Sequence, residues 1–382
     1  MGEEVPVMTR LKSIARLALT IAAIGTASLV PVSCFATDSF RSLGSQSSGE
    51  RLERMKQSSR YDDGEFRNTH PVEVMKDQDY WGMTKKWYAN RNHAFPNEAL
   101  ALEKRTMDDF GPLQEPELKV TWLGHSTILL EIDGARFLTD PVWSDRASPS
   151  QWVGPLRFHP PPLRLEDVPT IHGILISHDH YDHLDMHTIV TLAERKIPFY
   201  VPLGVGAHLE GWGVPTELIH EFDWWEEVTV PDTRITLVST PAQHFSGRGL
   251  FDRNGTLWTS WTLIGQTHRV FFSGDTGLTN EFVTIGEKFG PFDLTMLEIG
   301  AYDPSWGSIH LGPTQAITAH QMLKGNALLP IHWGTFDLGL HGWKDPGEEI
   351  VERAKKAGVN LLTPILGVRT DLMTQPKTQP WW

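Results

Sequence analysis

From Leu118 onward the apolar residues fall into short runs cut by polar turns. Residues 119–123, 128–132 and 135–139 are β-prone stretches separated by Gly-containing turns, and they predict three strands. Residues 173–177 form an apolar run that stops abruptly at a polar string, as expected of a buried strand feeding its chain into a site. Over 185–195 the spacing becomes helical: Ile189, Leu192 and Ala193 share a face, and Asp185 stands where a helix N-cap belongs. Further strands are predicted at 199–201, 235–239, 258–264, 270–273, 294–298 and 327–331, with helices at 280–289, 313–323 and 346–357. Strands alternating with helices over about 250 residues indicate a layered α/β domain.

Three segments precede this body. Arg10, Lys12 and Arg16 lead into an uncharged apolar stretch over 17–32, the pattern of an export signal. Residues 1–36 are therefore expected to direct the chain to the periplasm or cell envelope. The signal is expected to be cut after Ala36, to be lipidated at Cys34 in a degenerate lipoprotein box, or to stay as an uncleaved anchor. Residues 37–79, rich in Ser, Gly, Arg and Glu through about Gly64, predict a flexible leader. The main domain is expected to span 80–382, opening with an aromatic, partly helical extension over 80–110 that packs on it. No repeat at solenoid or propeller spacing is present.

Composition narrows the chemistry. The 382 residues include a single cysteine, so an internal disulfide and a thiolate-rich metal site are both excluded. Any metal must be held by imidazoles and carboxylates. Net charge is -13, with no run of Lys and Arg past the first 20 residues, which argues against nucleic acid as a partner. Fifteen tryptophans suit either an aromatic core or a protein that works at a lipid surface.

The candidate chemistry concentrates in Ser177-His178-Asp179-His180-Tyr181-Asp182-His183, directly after the predicted buried strand. Three imidazoles and the Asp182 carboxylate within six residues make a compact set of nitrogen and oxygen donors, suited to zinc and related divalent ions. A solvated loop that happens to be rich in histidine would not account for the strand that ends in it.

With this string the chain resembles the metallo-β-lactamase superfamily. The resemblance implies an αβ/βα four-layer sandwich and a binuclear centre whose remaining ligands each follow a strand. Those are His244 in Thr240-Pro241-Ala242-Gln243-His244, Asp275 in Ser273-Gly274-Asp275-Thr276-Gly277, and His332 in Pro330-Ile331-His332-Trp333-Gly334. On that pattern His178, His180 and His244 hold one metal, while Asp182, His183 and His332 hold the other. Asp275 lies between them and is the catalytic bridge. Two zinc ions are the expected cofactors, and manganese or iron suits the same donors. Each ion keeps an open position, the mark of a catalytic rather than a structural site.

Longer strings narrow the resemblance to the N-acylphosphatidylethanolamine-hydrolysing phospholipase D family. They are Asp140-Pro141-Val142-Trp143 with the following eight residues, Pro202-Leu203-Gly204, Asp223-Trp224-Trp225-Glu226-Glu227, Gly290-Pro291-Phe292-Asp293-Leu294, Ile299-Gly300-Ala301-Tyr302 and Ile331-His332-Trp333-Gly334-Thr335-Phe336. This likeness implies a metal-dependent phosphodiesterase of phospholipase D type. A hydroxide bridging the metals would attack phosphorus, giving an N-acylethanolamine and phosphatidic acid. His310 stands where that family places a histidine near the substrate phosphate; Ile309 beside it replaces a polar residue. A phospholipid or membrane-surface substrate and, by analogy, a homodimer are the implied partners.

Other residues carry two readings each. Asp140 ends a strand and is expected either to accept a hydrogen bond from a ligand imidazole or to serve the turn before Pro141. His125 either lines the cleft or is a core histidine, Trp224 either wedges an acyl chain of the substrate or packs in the core, and Tyr302 is a candidate substrate contact. Asp179 is expected to face outward without a role. The rivals to a phosphodiesterase are a lactonase or sugar-phosphate hydrolase of the same fold, and, in another class, an envelope lipid-binding protein with a structural metal.

Overall fold

In the computed structural model, residues 38–72, 74, 80–374 and 380–382 are described. The expected export signal over 1–36, Cys34 included, lies outside the described residues. Among those described, no helix is long and apolar enough to cross a membrane.

The described part of the expected leader is ordered, which corrects the reading of 37–79 as flexible. Helix Gly49–Gln57 leads into an antiparallel hairpin of β1 (Tyr61–Asp62) and β2 (Glu65–Phe66). Met55 and Phe66 are buried in one cluster with Leu203, Trp224, Leu257 and Trp258. Arg51 pairs with Glu221 at 2.6 Å and Glu210 at 2.7 Å, and the Ser42 hydroxyl donates to the Pro149 carbonyl at 2.8 Å. Composition misleads here because a strap needs few apolar anchors. The helix buries only Met55, so its average stays polar.

Two seven-stranded sheets make up the body. β3 (Leu118–Gly124), β4 (Thr127–Ile132), β5 (Ala135–Thr139), β6 (Gly173–Leu175), β7 (Phe199–Pro202) and β8 (Ile219–Phe222) lie side by side in the first. β9 (Glu227–Thr229), β10 (Thr236–Thr240), β11 (Ser260–Ile264), β12 (Arg269–Phe272), β13 (Phe292–Glu298), β14 (Gly325–Ile331) and β15 (Asn360–Leu361) form the second. β16 (Arg369–Asp371) returns to the first sheet beside β3.

Both sheets follow one plan. Pairing is antiparallel from β16 through β3 and β4 to β5, then parallel from β5 to β8. It is antiparallel from β9 to β12, then parallel from β12 to β15. In consequence β3, β5 and β6 run one way in their sheet, as do β10, β12, β13 and β14 in theirs. Their C-terminal ends therefore share an edge of each sheet.

Alternation along the strands sets the layers. Ile128, Leu130 and Ile132 of β4 join Leu237, Trp261 and Phe272 in the core between the sheets. Leu129 points the other way and packs with Leu138, Ile189 and Leu192. Helices Met186–Ala193 and Val205–Gly211 cover that outer face, and helices Glu281–Lys288, Gly312–Met322 and Asp345–Ala357 lie against the second sheet. The result is the four-layer sandwich expected from the sequence. The side chain of Asp185 caps its helix by accepting the His187 N–H at 3.2 Å. A cavity of about 940 Å³ between Leu118, His268, Val351 and Leu372 contains none of the predicted site residues, so size alone does not mark the site.

Candidate metal centre

The chain delivers its chemistry at strand ends. His125 sits in the turn from β3 to β4, Asp140 follows β5, and the string 177–183 follows β6. In the second sheet His244, Asp275 and His332 follow β10, β12 and β14, and Glu298 is the last residue of β13. His125, Asp140 and His332 have φ of 53°, 34° and 64°, left-handed conformations that non-glycine residues adopt at a cost. Hydrogen bonds hold these turns: the His332 N–H donates to the His125 carbonyl at 3.1 Å, and the Thr127 hydroxyl to the Asp140 carbonyl at 2.7 Å.

Two sets of donors converge. In the first, His178 Nε2 is 2.9 Å from His180 Nδ1, and His244 Nε2 is 3.3 Å from the same nitrogen. Asp275 Oδ2 stands 3.9 Å from His178 Nε2 and 3.8 Å from His244 Nε2. In the second, Asp182 Oδ2 is 3.3 Å from both His183 Nε2 and His332 Nε2. Asp275 reaches this set as well, at 3.2 Å from His183 Nε2 and 3.0 Å from His332 Nε2. Donors bound at about 2.0–2.2 Å around one tetrahedral ion lie roughly 3.3 Å apart, so both sets have the spacing of a coordination shell. His125 belongs to the second set, with Nε2 2.8 Å from Asp182 Oδ2.

Outer partners fix which nitrogen each ring presents. Nδ1 of His178 meets the Ser177 hydroxyl at 2.9 Å, Nδ1 of His183 meets Asp140 at 2.6 Å, and Nδ1 of His244 faces the Ile309 carbonyl at 3.1 Å. Each Nε2 is thereby turned to the centre. Asp140 also accepts the Ser177 N–H at 2.7 Å and hydroxyl at 2.6 Å, which ties β5 to the ligand string.

Electrostatics test whether cations fit. Burial lowers the pKa of His178 and His244 well below the ordinary imidazole value, leaving neutral rings with free lone pairs. Burial also opposes charge on His183 and His332, but there Asp275 and its neighbours win, raising His183 well above its usual value and His332 to about 10. Burial would raise Asp182 and Asp275, yet His183 first among their partners holds both well below the usual carboxylate range. These buried carboxylates demand positive charge at one point. His183 Nε2 and Asp275 Oδ1 are buried without a hydrogen-bond partner. A cation between such atoms satisfies both, so the residues fit divalent metal ions.

The model of the β-lactamase superfamily domain matches residues 135–333, just over half of the sequence. The chain belongs to that superfamily. A protein of Mycobacterium tuberculosis is 51% identical over 269 residues, covering 69% of this chain and 72% of its own. N-acyl-phosphatidylethanolamine-hydrolyzing phospholipase D 1 of Caenorhabditis elegans is 42% identical over 253 residues, covering 64% of this chain and 70% of its own. Among solved structures, a metallo hydrolase from Ignicoccus hospitalis superposes with a TM-score of 0.52 at 21% identity, over 66% of this chain and 97% of that one, a likeness of fold. The protein is a metal-dependent hydrolase of the metallo-β-lactamase fold.

Within this superfamily member, all seven expected ligands come together. His310 lies beside them, its ring centre 5.2 Å from that of His244 and 5.4 Å from that of His332. Tyr302 and His310 line one recess of about 280 Å³. The Tyr302 hydroxyl donates to Glu349 at 2.9 Å. Trp224 is placed elsewhere, correcting its reading as a substrate contact: it is buried beside Met55 and Phe66, with its Nε1–H donated to the Trp258 carbonyl at 2.7 Å. Asp179 does not face outward either. It is buried, accepts the Gly247 N–H at 2.9 Å and the Thr256 hydroxyl at 3.0 Å, and so pins the loop after His244. Two residues were missed. Glu298 ends an apolar strand as a lone carboxylate, and a charge in that position was the available signal. Asn68 lies in the strap and carries no motif. Its Nδ2 donates to the His244 carbonyl at 2.8 Å, and its Oδ1 accepts the His244 N–H at 3.1 Å.

Proposed function

We propose that this protein is a zinc-dependent phosphodiesterase of phospholipase D type, cleaving N-acylphosphatidylethanolamine-type phospholipids to N-acylethanolamine and phosphatidic acid. The observation that carries the reading is the shared carboxylate. Asp275 lies within 3.9 Å of His178 and within 3.2 Å of His183 and His332, so one group serves both donor sets. Bound there, two divalent cations would neutralise a phosphate and acidify a water to a nucleophile near neutral pH.

The chain's own residues would do the rest. The outer partners Asp140, Ser177 and the Ile309 carbonyl hold the imidazoles in place. His310, at the edge of the centre, is placed to hydrogen-bond a phosphoryl oxygen or to protonate the departing alcohol oxygen. The name of the worm relative, an N-acyl-phosphatidylethanolamine-hydrolyzing phospholipase D, and its 42% identity support the phospholipid class. So does helix Tyr80–Asn90, which exposes Trp81, Trp87 and Tyr88. Its Lys86 pairs with Asp303 at 2.8 Å, beside Tyr302 and the recess, and exposed aromatics of this kind suit a bilayer interface. An envelope location, with export directed by 1–36, agrees with a lipid substrate.

Metal analysis coupled to a substrate panel tests the proposal, with products identified by mass spectrometry. Two zinc ions per chain and release of N-acylethanolamine with phosphatidic acid are expected. Asp275→Asn is expected to cut turnover by at least about a hundredfold, more than loss of an outer partner costs. A single ion per chain, or turnover of lactones in place of phosphodiesters, would overturn it.

A further inference from the structure

Glu298 is wholly buried at the end of β13, a strand otherwise built from core residues such as Leu294, Met296 and Leu297. A carboxylate in that place is costly unless every lone pair is engaged. Oε1 accepts the Thr276 N–H at 2.8 Å and the Leu311 N–H at 3.2 Å. Oε2 meets Nδ1 of His310 at 2.8 Å, with His332 Nδ1 farther away at 3.8 Å. His310 keeps 12% of its side chain exposed and lines the recess with Tyr302, Trp306 and Gly312. The two backbone bonds fix where the carboxylate sits, and its second oxygen has one close partner.

We infer that Glu298 is a positioning residue for His310: it accepts the Nδ1 proton, fixes the rotation and tautomer of the ring, and leaves Nε2 as the nitrogen that meets substrate in the recess. The inference deepens the phosphodiesterase reading and rests on it for the identity of the substrate. The arrangement follows from chemistry general to imidazoles, since the partner of one nitrogen decides the role of the other. A glutamine at this position would keep its oxygen on the Thr276 and Leu311 N–H groups and turn its NH2 donor to His310 Nδ1, which moves the ring proton to Nε2.

The test uses the full chain loaded with zinc. In nitrogen-15 spectra, with the His310 signals assigned by their loss in His310→Ala, the wild type should show Nδ1 protonated and Nε2 the variable site. Glu298→Gln should lose that fixed tautomer while metal content stays at the wild-type level. In turnover of N-acylphosphatidylethanolamine, Glu298→Gln should lower kcat about 10- to 100-fold with KM unchanged. In the His310→Ala background the same change should cost less than about twofold, because the two residues act as one unit. An unchanged tautomer in Glu298→Gln, full additivity with His310→Ala, or loss of metal from Glu298→Gln would each overturn the inference; the last would assign the carboxylate to the Asp275 turn. The spectra need no substrate, so a wild type that cleaves no phospholipid would defeat the functional reading and leave the tautomer result standing.

Discussion

Asp140 shows how much of the centre depends on residues that touch no ion. It is buried, its φ is 34°, and it accepts from Ser177 twice and from His183 once. Burial raises its pKa, against the pull of His183 and Ser177. Asp140→Asn should lower affinity for the metal held by His183 by about 10- to 100-fold, the usual cost of losing an imidazole's outer partner. Competition against a chelator of known affinity measures it, and affinity equal to wild type would assign Asp140 to the turn alone. Legibility at this scale followed chemistry. Four ligands could be read because three imidazoles and a carboxylate stand together in 178–183; the other three, His244, Asp275 and His332, followed from the superfamily resemblance that this string carries. Glu298 was passed over, since its one signal, a lone carboxylate ending an apolar strand, stands in no motif with other donors. Trp224 stayed between two readings because a tryptophan serves core and cleft equally well until its neighbours are known.

Among the elements, the long strands were legible and the edges were not. β4 and β5 announce themselves through full burial and flanking turns, whereas β9, β15 and β16 hold two or three residues each and leave no period to read. Yet β16 carries a specific bond. Arg369 grips Glu131 of β4 at 2.5 and 2.9 Å, and Arg136 of β5 donates to the same carboxylate at 2.8 Å. Burial would raise the Glu131 pKa, but Arg369 and then Arg136 more than offset it and hold the group below its ordinary value. A depressed carboxylate contributes stability above its unfolded pKa of about 4.3 and loses it as pH falls through the folded value. Glu131→Gln should therefore destabilise the fold at pH 7 by on the order of 2 kcal/mol, leaving Arg136 short of a partner. That deficit should begin to shrink as pH falls below about 4.3 and close only below the depressed folded value, where the wild-type carboxylate is protonated too. Chemical denaturation of both proteins across this range decides it; a deficit independent of pH would show that packing, not charge, holds β16.

For the whole molecule, the boundary drawn at residue 80 cuts through the site. The sequence predicted a loose leader because 37–64 is polar on average, and averages do not reveal where a few anchors land. Residues 38–72 instead cross from the Pro149 carbonyl to Glu221 and on to the metal centre. There Asn68 bonds both backbone groups of His244 and also accepts the Trp258 indole N–H at 3.1 Å. Each of those groups is buried or partly buried, and stranding one costs about 1–3 kcal/mol. A metal ligand held on both sides by a distant segment ties occupancy of the first site to docking of the strap. Asn68→Ala should thus lower the melting temperature by a few degrees and weaken binding at the His178, His180 and His244 set more than at the other. A chain begun at residue 80 should show the same selective loss in stronger form. Isothermal titration of the metal-stripped proteins with zinc would resolve the two binding steps. Equal weakening of both would mean that the strap merely covers core, whereas loss confined to one step would make these residues part of the metal centre.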